Sequence, residues 1–97
     1  MSENSTELPL ADPPDILLIN CPSPVHESEA AELDCHVTGN PAPNITWIRV
    51  NTGEIIANEA LHFIEFFKRK ETGNYKCLAE NFIGSRNLSC FLEALCE

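Results

Sequence analysis

The chain has 97 residues, 43% of them hydrophobic, with 15 acidic and six basic side chains for a formal net charge of −9. That is enough for one compact module and too little for two. The acidic field opposes nucleic acid and anionic membrane as partners, and no apolar run approaches the roughly 18 to 20 residues of a membrane-spanning helix. Half of the basic residues sit in Lys68-Arg69-Lys70, which reads first as a solvated turn and second as a site for a small anionic partner.

Residues 1–13 read as a flexible lead-in. MSENSTELPLADPP is polar and lacks the basic and apolar regions of a signal peptide, so a secreted or membrane-anchored parent is expected to contain this chain as an excised piece. Pro13-Pro14 stiffens the entry to a β-prone run, Asp15 to Asn20, which Cys21-Pro22-Ser23-Pro24 interrupts. Two prolines are tolerated there only at an edge or a break, so a split first strand is expected. Ala31, Leu33, Cys35 and Val37 alternate with polar neighbours, the period of a half-buried strand that ends at Gly39-Asn40-Pro41-Ala42-Pro43. Ile45 and Trp47 lie on one face of the next strand, and Asn51-Thr52-Gly53 turns it into Glu54-Ile55-Ile56. In Leu61 to Phe67 the facing is ambiguous. If Ile64 and Phe67 point inward, with Ile64 in the core, His62 occupies a position that favours an aliphatic residue. Glu71-Thr72-Gly73 makes a corner into a strand with Tyr75, Cys77 and Ala79 on one face and Lys76, Leu78 and Glu80 on the other; residues 81–84 turn, and residues 86–95 form the last strand. The expectation is all-β: an antiparallel sandwich of about seven short strands, with Leu33, Trp47, Tyr75 and Ile64 in its core.

Five cysteines without a C-x-x-C spacing argue against a zinc site. Three N-x-[ST] sequons, at Asn4, Asn44 and Asn87, join them in favouring an oxidising, extracellular setting. Cys35, Trp47 and Cys77 occur in that order, with Tyr75 two residues before the second cysteine. These are the parts a two-sheet sandwich uses: an inter-sheet staple, an aromatic packed against it and a tyrosine that locks a corner.

Around these positions the chain resembles the immunoglobulin superfamily, most closely the intermediate set. Residues 35–47 (CHVTGNPAPNITW) are similar to its C-x-V-x-G-x-P-x-P-x-x-x-W pattern, and residues 71–84 (ETGNYKCLAENFIG) to its D-x-G-x-Y-x-C-x-A-x-N-x-x-G pattern. Glu71 stands where the family has Asp. The stretch from Trp47 to Ile64 is short for the set, which leans toward a C2-like outline and puts the family's strand D in doubt. The resemblance implies a domain over residues 14–95, a linker stub at 96–97 and a Cys35–Cys77 disulfide. It also implies a last strand parallel to the second half of the split first strand. On that topology the alternation turns both Cys21 and Cys90 inward, and a second bridge between them is expected. Cys96 is then unpaired within this chain, with a partner in a following domain, an intermolecular bridge or a Cys21–Cys96 pairing as the alternatives.

No nucleophile–base pair, carboxylate dyad or metal cluster stands out, and His26, His36 and His62 fall on three segments, so no enzyme activity and no cofactor is expected. The resemblance implies extracellular protein recognition, by adhesion or as part of a receptor, with another ectodomain or a second copy as partner. A spacer domain without its own ligand is the alternative, and an intracellular muscle-type domain a third. Ile48, Leu78 and Phe91 are expected on the outer side of one sheet as an apolar patch near Asn87, and Phe82-Ile83 at a loop tip as a second contact.

Overall fold

Alternation of period two runs through almost the whole chain, and a computed structural model describing residues 10–95 turns it into strands. In chain order these are β1 (Asp12–Asn20), β2 (Val25–His26), β3 (Ala31–Asn40), β4 (Asn44–Arg49), β5 (Glu54–Ala57), β6 (Leu61–Ile64), β7 (Gly73–Glu80), β8 (Ser85–Leu92) and β9 (Ala94–Leu95). A single turn of 3-10 helix, Arg69–Glu71, precedes β7. Its start is held by the Lys68 N–H, which donates to the Glu71 carboxylate at 2.8 Å.

The strands form two main sheets, β1-β3-β6 and β5-β4-β7-β8, and a small third one in which β2 and β9 pair in parallel, β9 following β8 directly along the chain. The first strand is split as its prolines require. β1 pairs antiparallel with β3 on one sheet, the chain crosses at Cys21-Pro22-Ser23-Pro24, and β2 joins β9 on the other side. β1 opens at Asp12 and incorporates Pro13 and a buried Pro14, with shifts in its register on either side of Asp15-Ile16. After β5 the chain passes directly to β6 on the opposite sheet, so among the described residues no further strand covers the outer edge of β6.

Inward parity builds the core. Leu33, Trp47, Phe67, Tyr75 and Leu92 are fully enclosed together with Cys35 and Cys77, while Ile64 is half-buried and packs against this cluster. Enclosing each such aliphatic side chain contributes about 2 kcal/mol of transfer free energy. Cys35 bonds Cys77 across the two sheets, and Cys21 bonds Cys90, tying the crossing segment of the split strand to β8. The Ala60 carbonyl accepts from both the Trp47 indole Nε1–H (3.0 Å) and the Cys35 N–H (3.1 Å), so the indole is polar-satisfied and the β5–β6 link is anchored at the staple. Two glycines are needed for geometry: Gly53 takes φ +78° in the β4–β5 turn, and a side chain on Gly39 would come within 2.8 Å of Pro43. Asn4 and Cys96 lie outside the described residues.

Candidate protein-recognition surface

The outer face of the four-stranded sheet follows from register. Ile48 stands opposite Ile55 on β5 and Lys76 on β7, and Lys76 in turn opposite Ser89 on β8. One row along, Thr46, Leu78 and Asn87 line up; one row the other way, Asn74 faces Phe91. Ile48 and Leu78 are therefore diagonal neighbours, close enough for side-chain contact. Phe91, 52% exposed, stands two rows from Leu78, with the half-buried Lys76 between. The stem of a lysine so placed extends an apolar surface while its ammonium stays in water. The register thus sets two of the three expected residues as diagonal neighbours and the third on the far side of Lys76. It also adds Ile55, 59% exposed, which the sequence reading missed because a four-residue hairpin strand carries too little alternation to show its facing.

Both described sequons lie on this same face. Asn87 is directly opposite Leu78, and Asn44 starts β4 opposite Glu80 with the same outward parity as Thr46 and Ile48. The end of the face near the β7–β8 turn carries both asparagines. The end bearing Ile55, Ile48 and Phe91 carries no sequon among the described residues.

The β7–β8 turn projects Phe82 (78% exposed) and Ile83 beyond the sheet. Asn81 makes this turn rigid. Its Oδ1 accepts from the N–H groups of Ile83 (3.0 Å) and Gly84 (3.2 Å), while its Nδ2 donates to the carbonyls of Asp12 (2.7 Å) and Pro41 (3.1 Å). One amide therefore holds three chain segments at one pole of the sandwich, using an Asx-type bond that competes with any looser turn.

The opposite pole is polar. The Tyr75 hydroxyl donates to the Glu71 carbonyl and locks the corner. The Arg49 guanidinium lies 5.8 Å from the centre of the Tyr75 ring, 3.2 Å from Glu54 and 3.7 Å from Glu71. A glutamate at position 71 thus reaches an arginine supplied by β4. Burial raises the Tyr75 pKa above its ordinary value, and burial followed by the Arg49 charge lowers that of His62. His62 shares its facing with Ile64, each opposite a buried residue of β3, so the imidazole does occupy an inward position. Next to this pole a cavity of about 480 Å³ is lined by Glu27, Lys68, Arg69 and Lys70, with Arg69 ion-paired to Glu27 at 3.6 Å. Among the described residues no group of His, Cys, Asp and Glu is arranged to hold a metal ion, and no helix is long and apolar enough to cross a membrane.

Two sheets stapled by a buried disulfide, an enclosed tryptophan against it and a tyrosine-locked corner define an immunoglobulin-type sandwich. The chain belongs to that family: the immunoglobulin domain model matches residues 13–81. It is 33% identical over 92 residues to hemicentin-1 of Mus musculus, covering 88% of this chain and 2% of that protein, and 34% identical over 77 residues to lachesin of Schistocerca americana, covering 71% and 22%. Among solved structures it is similar to Dpr11 IG1 bound to DIP-gamma IG+IG2, at a TM-score of 0.80 and 30% identity over 88% of this chain and 49% of that one. The chain spans only a small fraction of the curated relatives it matches. Those relatives are cell-surface and extracellular immunoglobulin-domain proteins of adhesion and receptor type.

Proposed function

We propose that this domain is an extracellular protein-recognition module, part of an adhesion or receptor ectodomain, that binds through the open end of its four-stranded face. The observation that carries the reading is that Ile55 and Phe91, both exposed, stand on one sheet face with the half-buried Ile48 and Lys76 between them, where a monomer gains nothing by exposing large apolar groups. A flat face with isoleucine and phenylalanine anchors beside lysine suits another folded ectodomain, either a different protein or a second copy. Glycans on Asn44 and Asn87 would cover the other end of the face, including Leu78, and confine a partner to the Ile55–Phe91 end. The Phe82-Ile83 tip, at the end of the sheet nearer both sequons, is the secondary contact. The relatives support the class, and the solved Dpr11 complex shows that a domain of this fold binds another.

The test is a cell-aggregation or ectodomain-binding assay with the full parent ectodomain carrying Phe91→Asp or Ile48→Asp. Loss of association with an unchanged fold supports the face. Wild-type association in both variants rules it out, and wild-type association for every outward variant of the domain leaves a spacer role in its place.

A further inference from the structure

The three-stranded sheet has a feature that recognition through the opposite face leaves unused. β6 is its last strand, and the phase of its hydrogen bonding is set by the bond from the Cys35 N–H to the Ala60 carbonyl. In an antiparallel ladder, hydrogen-bonded and non-bonded pairs alternate. Cys35 opposite Ala60 is a bonded pair, so Leu33–His62 and Ala31–Ile64 are bonded, while Asp34–Leu61 and Glu32–Phe63 are not. The N–H and C=O groups of Leu61 and Phe63 therefore point away from β3, toward the open edge. Their side chains stand on the outer face, 47% and 57% exposed, and Phe66 follows at 59%. Backbone donors, backbone acceptors and apolar side chains coincide at one edge, the arrangement that accepts an added strand.

Charge selects the occupant. β1, β3 and β6 contain no Lys or Arg but carry Asp12, Asp15, Glu32 and Asp34, and Glu59 and Glu65 flank β6 at either end. Glu32 and Asp34 stand directly opposite Phe63 and Leu61. A second copy would bring its own acidic flanks to the same place and be repelled, in keeping with the net charge of −9.

We propose that the free edge of β6 binds an extended, basic-flanked segment of another protein by strand addition. Apolar residues of that segment lie beside Leu61 and Phe63, small polar residues face His62, and Lys or Arg approaches Glu59 and Glu65. The alternation defines a palindromic probe, acetyl-Lys-Thr-Val-Thr-Val-Thr-Lys-amide, which meets these requirements in either direction.

The experiment is a nuclear magnetic resonance titration of the isotope-labelled domain with this peptide, together with amide exchange at saturation. The expected result is that the Leu61 and Phe63 amides shift and exchange at least tenfold more slowly, while the same peptide with Glu in place of Lys has no effect. Phe63→Pro removes one outward N–H without touching a bond to β3, and abolishes the response. Should that variant lose its native spectrum, Phe63→Lys keeps the N–H, replaces the apolar contact with a cation and is expected to weaken binding at least tenfold. The proposal is overturned if the acidic peptide binds equally well, if the shifts fall on β4, β7 and β8, if neither Phe63 variant alters binding, or if the Leu61 and Phe63 shifts track protein dilution instead of peptide, which would mark a second copy as the occupant.

Discussion

Replacing Cys21 and Cys90 together by alanine isolates the contribution of the bridge that ties the split first strand to β8. In isolation that crosslink closes a loop of 69 residues and contributes about 4.4 kcal/mol in the chain-entropy model. It does not act in isolation, because Cys35–Cys77, at a separation of 42, is nested inside it. With the inner bridge closed, the outer one encloses only the segments 21–35 and 77–90, about 27 residues, and its contribution falls to about 3.5 kcal/mol. Cys21 and Cys90 are only half-buried, so little packing is lost with them. The fully buried inner pair differs. Its removal with the outer bridge intact costs about 3 kcal/mol of the same entropy, and a cavity beside Trp47 adds to that. Urea unfolding followed by Trp47 fluorescence under non-reducing conditions reads both variants. The Cys21→Ala/Cys90→Ala protein is expected to unfold cooperatively with stability reduced by about 3 to 4 kcal/mol, and the inner double variant by more. A loss below about 1 kcal/mol for the outer pair, or a larger loss than for the inner pair, would refute the nested-loop reasoning.

Two further outcomes concern the polar pole. Tyr75→Phe removes the bond from the hydroxyl to the Glu71 carbonyl while keeping the ring under Arg49, and is expected to cost about 1 kcal/mol in the same assay; an unchanged midpoint would mean that the corner does not depend on that bond. His62 has its pKa lowered by burial and Arg49, so as pH falls through about 6.5 the unfolded chain binds a proton that the folded chain does not. The stability this group supports is complete above that pH and is lost as the pH falls below it toward the lowered folded-state pKa. His62→Gln is expected to flatten the decline between pH 7.5 and 5.5, and identical declines in the two proteins would show that His62 does not titrate across that window.

Much of the architecture was legible because a sandwich writes itself into local alternation. Ala31-Leu33-Cys35 and Tyr75-Cys77-Ala79 show their buried face within a few residues, and the prolines at 22 and 24 mark the break in the first strand. Ile48, Leu78 and Phe91 have the outward facing that their parity gave. Their spacing across the sheet was not legible, since it depends on which residue of β7 stands opposite which residue of β8. For the same reason the sequence alone does not show that Ile55 joins the patch or that Asn87, expected near it, faces Leu78 directly. Likewise, nothing local announces that Asn81 joins three segments, because its acceptors are 40 and 69 residues away.

By itself, then, the sequence determined most of the strands, the inward faces of β3, β4 and β7 and the family, because period-two burial and the Cys-Trp-Tyr-Cys spacing are short-range facts of the chain. Only the tertiary structure decided the registers that build the candidate face, the passage from β5 straight to β6 and the backbone groups of Leu61 and Phe63 left facing an open edge. Those depend on pairing between distant segments, where a shift of one residue turns every side chain to the other side of its sheet.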